Sequence, residues 1–142
     1  MKAYVDSSFL VSLYSQDAKS AAAVRIVRGS REEHLISTLC ETEVANALQL
    51  RVFRKEVSAA QAGTAAAAFE KDLRDGVFQL RPLTEQAFEK ARQLSRQHTA
   101  RLGTRAADVL HVAAALDLGA DFLYTFDEQQ RKLAKAVGLK LN

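Results

Sequence analysis

The most constraining feature of this sequence is the alternation of short β-rich runs with longer helical patterns. The runs that predict strands lie at residues 3–6, 34–37, 78–81, 121–126 and 139–141. Helical patterns separate them, at residues 9–14, 20–28, 39–55, 58–74, 84–98, 105–118 and 127–137. Alternation of this kind favours a parallel sheet with helices on both faces. We therefore predict an α/β fold, a three-layer α/β/α sandwich whose parallel sheet has about four to five strands.

The composition is typical of a globular protein that folds as one unit. The chain has 142 residues, 48% of them hydrophobic and 26% charged, which predicts a single domain over residues 1–142. Cys40 is the single cysteine, so no internal disulfide can form, which suits a reducing cytoplasm. The amino terminus does not resemble an export signal, and no run approaches the ~18 apolar residues of a membrane helix. We expect a cytoplasmic protein whose net charge of +3 permits contact with nucleic acid without demanding it.

Four acidic residues, Asp6, Glu43, Asp108 and Asp127, stand apart from the other charges because each adjoins an apolar strand or helix. A carboxylate in apolar surroundings is costly unless it is paired, hydrogen-bonded or bound to a cation. Asp6 and Asp127 come at the carboxyl ends of predicted strands, where parallel sheets bind ligands. Asp108 falls in the first turn of a helix that should start on that same edge. If the four converge, a hard divalent cation is the natural way to neutralise them.

Three of these acids also have purely structural explanations. Asp6 and Asp127 could each cap the helix that follows, since Asp is a preferred N-cap residue. Asp108 could simply interact with the helix dipole, which is worth about 0.3–1 kcal/mol at an exposed site.

Glu43 has no such local explanation. Thr38 and Glu41 fit the capping-box pattern at the start of the helix, which leaves Glu43 within the apolar stripe. The alternative for Glu43 is a buried ion pair with an arginine. His111 lies inside an apolar helix without metal-ligand spacing to the other histidines, so we predict a hydrogen-bonded core histidine.

Four segments, in order along the chain, resemble the motifs of PIN domains, in particular the small VapC-type ribonuclease toxins. They are Tyr4–Val11, Glu43–Leu48, Ala107–Ala115 and Tyr124–Asp127. The resemblance covers nearly the whole chain and no acidic position departs from it. It implies a PIN-like α/β/α sandwich with the acids at one edge of the sheet.

The resemblance also implies a function, that of an endoribonuclease dependent on Mg²⁺, for which Mn²⁺ can substitute. By this resemblance Asp6 and Asp108 are direct metal ligands, whereas Glu43 and Asp127 complete the pocket through metal-bound water. Ser7 and Thr125 would orient the acids. A phosphatase of the haloacid-dehalogenase kind is disfavoured because it needs a second Asp where this chain has Ser8.

The partners implied by the resemblance are an RNA substrate, either transfer or ribosomal RNA, and a small cognate antitoxin. VapC-like proteins also form homodimers and bind promoter DNA together with their antitoxins. Arg101 and Arg105 precede Asp108 and are our candidates for RNA binding, because cations must offset the charge of the phosphates. The alternative function is that of a catalytically quiet PIN-like protein that acts by forming a complex with antitoxin and promoter DNA.

Overall fold

The sheet has five parallel strands, as predicted. The computed structural model describes residues 1–142. The strands are β1 (Lys2–Val5), β2 (Glu33–Ser37), β3 (Gln79–Arg81), β4 (Phe122–Tyr124) and β5 (Lys140–Leu141). They are ordered β3-β2-β1-β4-β5, and every neighbouring pair is parallel.

Eight α-helices connect and flank the strands. They are α1 (Ser7–Tyr14), α2 (Ser20–Gly29), α3 (Thr38–Phe53), α4 (Ala59–Arg74), α5 (Glu85–Leu94), α6 (Ala100–Leu102), α7 (Ala106–Asp117) and α8 (Glu128–Ala136). A π-helical turn, Ser95–Thr99, joins α5 to α6. No helix is both long enough and apolar enough to cross a membrane.

The central strand shows why the fold has three layers. Successive strand residues point to opposite faces of a sheet, and Ala3, Tyr4 and Val5 are all fully buried. Both faces of β1 are therefore covered. The predicted α/β/α sandwich is confirmed, and its apolar run at residues 3–5 is the signature of a strand that is buried on both sides.

The strand order creates a switch point beside β1. The chain moves from β1 to β2 and β3 on one side, then crosses to β4 and β5 on the other. Ligand sites of open parallel sheets lie at such a point, outside the carboxyl ends of the strands. The residues that follow β1 and β4 are Asp6 and Thr125, and the backbone N–H of Asp6 donates to the carbonyl of Tyr124 at 3.1 Å. The first and fourth motifs thus meet at this point.

The helix caps only partly match the prediction. Thr84 caps α5, its hydroxyl accepting from the backbone N–H of Ala87 at 3.0 Å. The predicted capping box of Thr38 and Glu41 is wrong, because α3 has Ser37 as its N-cap residue and lacks a side-chain cap. The Thr38 hydroxyl instead accepts a hydrogen bond from the backbone N–H of Leu83, a tertiary contact that local sequence does not reveal.

Candidate active site

Asp6 is held rigidly at the end of β1. Its carboxylate is fully buried and caps α1, accepting from the backbone N–H of Phe9 at 2.9 Å. The Ser8 hydroxyl lies 2.8 and 2.9 Å from its two oxygens, and the Thr125 hydroxyl donates to Oδ2 at 2.8 Å. Burial raises the pKa of Asp6, although the positive charge of His111 and these hydrogen bonds oppose that shift. The capping role predicted as an alternative is therefore real, and it fixes the carboxylate at the switch point.

Thr125 connects the acids that follow β1 and β4. Its hydroxyl donates to Asp6 and accepts from the backbone N–H of Asp127 at 3.0 Å. Asp127 in turn caps α8, with Oδ1 accepting from the backbone N–H of Gln130 at 2.9 Å. The predicted cap at Asp127 is confirmed. The same contacts place its carboxylate next to the end of β1.

Glu43 lies in the second turn of α3, at the border between buried and exposed faces. The helix buries Cys40, Val44 and Leu48, whereas Leu50 is 37% exposed. Glu43 accepts a hydrogen bond from Ser7 at 3.0 Å and another from Nε2 of His111. The apolar stripe is thus narrower than we predicted, because Asn46 and Leu50, on the same side of the helix as Glu43, are exposed and line a pocket.

The ion-pair partner of Glu43 is a histidine and not the arginine considered above. His111 is buried, and its Nδ1 lies 2.9 Å from the hydroxyl of Tyr4. Burial acts to lower the pKa of His111, but its interactions with Cys40, Glu43 and Asp6 raise that pKa to about 10. Burial likewise acts to raise the pKa of Glu43, and the bonds from His111 and Ser7 lower it. Residues Tyr4, His111, Glu43 and Ser7 thus form one hydrogen-bonded chain.

His111 was predicted to be a hydrogen-bonded core histidine, and this is confirmed. Its contact with Glu43 was missed by sequence reasoning. The two residues are 68 positions apart, on different helices, and no local pattern links them. The only available signal was the pairing itself, an acid within the apolar stripe of one helix and a histidine inside another, apolar helix.

Asp108 lies in the first turn of α7. Its carboxylate is nearly buried, and Oδ2 accepts from the backbone N–H of Arg105 at 2.9 Å. Arg105 itself precedes the first residue of α7, so the helix starts slightly later than we predicted from Thr104. This hydrogen bond fixes one carboxylate oxygen of Asp108 against the backbone of Arg105.

One open pocket collects three of the four acids. It has a volume of about 640 Å³ and is lined by Glu43, Asp108 and Asp127. Asp6 does not line it, but its neighbours Ser7 and Ser8 do. The acids that were predicted separately from the sequence therefore belong to one site, with Asp6 held behind the pocket wall.

The family comparison covers almost the whole chain. The model of the PIN domain matches residues 3–136. The chain belongs to the PIN-domain family. No curated protein matches it significantly.

Solved structures share the same fold. VapC20 of Mycobacterium tuberculosis, a toxin that cleaves the sarcin–ricin loop, is 22% identical with a TM-score of 0.74, over 97% of this PIN domain and 96% of that chain. VapBC2 of Rickettsia felis, bound to promoter DNA, is 15% identical with a TM-score of 0.68, over 100% and 98%. VapBC-1 of nontypeable Haemophilus influenzae is 13% identical with a TM-score of 0.65, over 100% and 97%.

The carboxylates of this PIN domain suit a hard cation that keeps much of its water. Asp108 and Asp127 each commit one oxygen to a backbone N–H, and Glu43 commits Oε1 to Ser7 and His111. The second oxygen of each has no protein partner and is not buried. No group of three His, Cys, Asp or Glu side chains is arranged to hold a metal ion by itself. Mg²⁺ fits such a donor set, because proteins commonly hold it through one or two carboxylates plus water.

The predicted cations Arg101 and Arg105 lie outside this pocket. Both side chains are exposed, and Arg101 contacts His98. The arginines that line the pocket are Arg51 and Arg54, near the end of α3. RNA binding by Arg101 and Arg105 stays a prediction.

Proposed function

We propose that this PIN domain is an endoribonuclease dependent on Mg²⁺ or Mn²⁺ and the toxin of a toxin–antitoxin pair. The observation that carries the proposal is one open pocket lined by Glu43, Asp108 and Asp127 together with Ser7 and Ser8, the two residues that follow Asp6. Membership of the PIN-domain family supports a nuclease. The likeness to VapC toxins and VapBC complexes supports the more specific role.

The side chains have distinct roles in this proposal. Asp6 and Asp108 would hold the cation, which requires Asp6 to exchange its hydrogen bonds from Ser8 for the cation. Glu43 and Asp127 would orient water molecules around it. When bound, the cation would activate a water molecule and offset the charge that develops on the phosphate oxygens. Thr125 keeps Asp6 and Asp127 in register through its two hydrogen bonds.

Ser7 and His111 orient Glu43. Their hydrogen bonds converge on Oε1 of Glu43, which leaves Oε2 of that residue for the pocket. The positive charge of His111 also faces Asp6 and compensates part of the cost of burying that carboxylate. The chain thus preorganises an acidic site before any ligand arrives.

The proposed partners follow from the same relatives. Two VapBC structures contain a chain with the fold of this PIN domain, and one of them is bound to a DNA fragment from the promoter. We propose a small antitoxin as the partner of this chain, promoter DNA as a ligand of the joint complex, and a homodimer as its assembly. Transfer RNA and ribosomal RNA are both proposed substrates.

Cleavage of total cellular RNA by the purified, partner-free protein tests the activity. Reactions with Mg²⁺, with Mn²⁺ and with chelator are compared for the wild type, Asp6→Asn and Asp108→Asn. Discrete fragments that require metal and disappear in both variants are expected. Circular dichroism shows that the variants are folded, and the cut sites identify the RNA.

The same experiment includes the outcomes that contradict the proposal. A folded protein that cleaves nothing in either metal favours the alternative, a catalytically quiet partner in a complex with antitoxin and promoter DNA. Full activity in folded Asp6→Asn or Asp108→Asn refutes the assigned roles. A metal-induced rise in melting temperature that is smaller in Asp108→Asn tests the metal site without relying on cleavage.

A further inference from the structure

One face of α3 forms a continuous wall of the acidic pocket. Glu43, Asn46, Leu50 and Arg54 all line it. Their spacings of three and four residues place successive side chains along one face of a helix. The eleven helical residues from Glu43 to Phe53 extend about 15 Å along the helix axis. The pocket therefore reaches from an acid at one end to an arginine at the other.

Arg54 is the one pocket cation that is not already neutralised. The other arginine of the pocket, Arg51, forms a salt bridge with Asp17 at 2.7 Å and donates to Ser15 at 2.9 Å. Arg54 is exposed and takes part in neither a salt bridge nor a side-chain hydrogen bond.

The rest of the pocket is acidic. Its other ionisable residues are Glu43, Glu56, Asp108 and Asp127. A polyanion that enters such a pocket needs a cation beyond the reach of the acids. Arg54 meets this need with respect to Glu43, since it lies at the far end of the helix face from that residue, and Glu56 is the pocket acid nearest to it in the chain.

The backbone holds Arg54 at the rim of the pocket. The N–H of Arg54 donates to the carbonyl of Leu50 at 2.9 Å, and the N–H of Glu56 donates to the carbonyl of Arg51 at 2.9 Å. Lys55 between them has a left-handed φ of 59°. The chain turns sharply here, so Arg54 is the last residue of the helix face and lies on a well-defined turn.

We propose that Arg54 binds a backbone phosphate of a single RNA strand, several nucleotides from the bond that is cut. The RNA strand would lie along the side of α3 that lines the acidic pocket. Leu50, 37% exposed, offers an apolar contact for a base between the two ends. This inference rests on the proposed function for the identity of the strand. It assigns the strand's path to a face of α3 and not to Arg101 and Arg105.

Binding of a labelled single-stranded oligouridine in chelator tests this path without any cleavage. Affinity is measured against salt for the wild type, Arg54→Lys, Arg54→Glu and Arg25→Glu. Arg25 is an exposed residue of α2 that does not line the acidic pocket. Its reversal changes the net charge as much as reversal of Arg54 does, which makes Arg25→Glu the matched control.

The charge reversal Arg54→Glu should make the negative slope of log affinity against log salt shallower by at least about 0.7, the value for one phosphate contact on a single strand. Arg54→Lys should keep most of that slope, and Arg25→Glu should leave it close to that of the wild type. Equal slopes in Arg54→Glu and Arg25→Glu would overturn the inference, as would a wild type that does not bind the RNA at low salt.

The binding result is independent of the activity. Binding that depends on Arg54 without any cleavage in metal supports the path and contradicts the nuclease. Metal-dependent cleavage together with binding that ignores Arg54 supports the nuclease and contradicts the path. An unchanged melting temperature in Arg54→Glu shows that the acidic pocket is intact.

Discussion

The buried charge of His111 predicts an unusual dependence of stability on pH. Its pKa is raised to about 10 in the folded protein, against about 6.5 in an unfolded chain. A raised pKa stabilises the fold fully below about pH 6.5, and the stabilisation is lost as the pH rises through about 10. Between pH 6.5 and pH 9 the free energy of unfolding should therefore fall by about 3 kcal/mol.

Urea unfolding in chelator, at several pH values across this range, measures the effect. With slopes of about 1–3 kcal/mol per molar urea, the midpoint should fall by roughly 1–3 M between pH 6.5 and 9. His111→Gln should be less stable than the wild type at pH 6.5, by about 2–3 kcal/mol, because it leaves Glu43 and Asp6 without their buried counter-charge. The difference should shrink toward pH 9 and vanish only above about pH 10, where the folded wild type also loses that charge.

His34→Gln is the matched control for this prediction. Burial lowers the pKa of His34, so that histidine is already neutral above pH 6.5 and its replacement should keep the pH dependence of the wild type. A wild-type stability that is flat from pH 6.5 to 9 would refute the reasoning. So would a His111→Gln variant that loses stability with pH as steeply as the wild type.

Three further predictions concern residues around the site. Thr125→Val should lower the free energy of unfolding by about 2 kcal/mol and reduce RNA cleavage, because Asp6 loses a donor, whereas Thr125→Ser should retain most of both; urea unfolding and a cleavage assay test this. Lys55→Gly should raise the melting temperature slightly, since relief of the left-handed φ is worth about 1–2 kcal/mol and the added chain entropy costs about 0.5–1 kcal/mol. Burial acts to raise the pKa of Asp17, but its bonds with Arg51 lower it; Asp17→Asn should therefore be less stable at neutral pH, and in thermal unfolding the difference should start to shrink below about pH 4 and vanish only once the pH is below the lowered pKa of Asp17.

The fold could be read from the sequence because its signals are local. The apolar run of β1 ends at a charged residue, and each later strand is separated from the next by a helical pattern. Parallel pairing and right-handed crossovers leave few arrangements for such a pattern. The positions of Asp6 and Asp127 at strand ends followed from the same reasoning, since both acids adjoin apolar runs.

The rest of the site depends on contacts between distant segments. The pairing of Glu43 with His111 requires α3 and α7 to meet in space, which no spacing in the sequence specifies. Arg54 was overlooked because it follows the motif of Glu43 by eleven residues, whereas Arg105 is next to a motif in the sequence. Closeness to a motif in the sequence was a poor guide to the pocket lining, because α3 extends along the pocket from Glu43 to Arg54.

The meeting of β1 and β4 ties the site to the cooperativity of folding. Asp6 belongs to the half of the sheet that contains β2 and β3, whereas Thr125 and Asp127 belong to the half that contains β5. Any partial opening that releases β4 from β1 separates these groups before either half unfolds. Amide hydrogen exchange at β4 should therefore report the opening event that takes the site apart. A partly folded chain in which β1 and β4 are not paired has no assembled site.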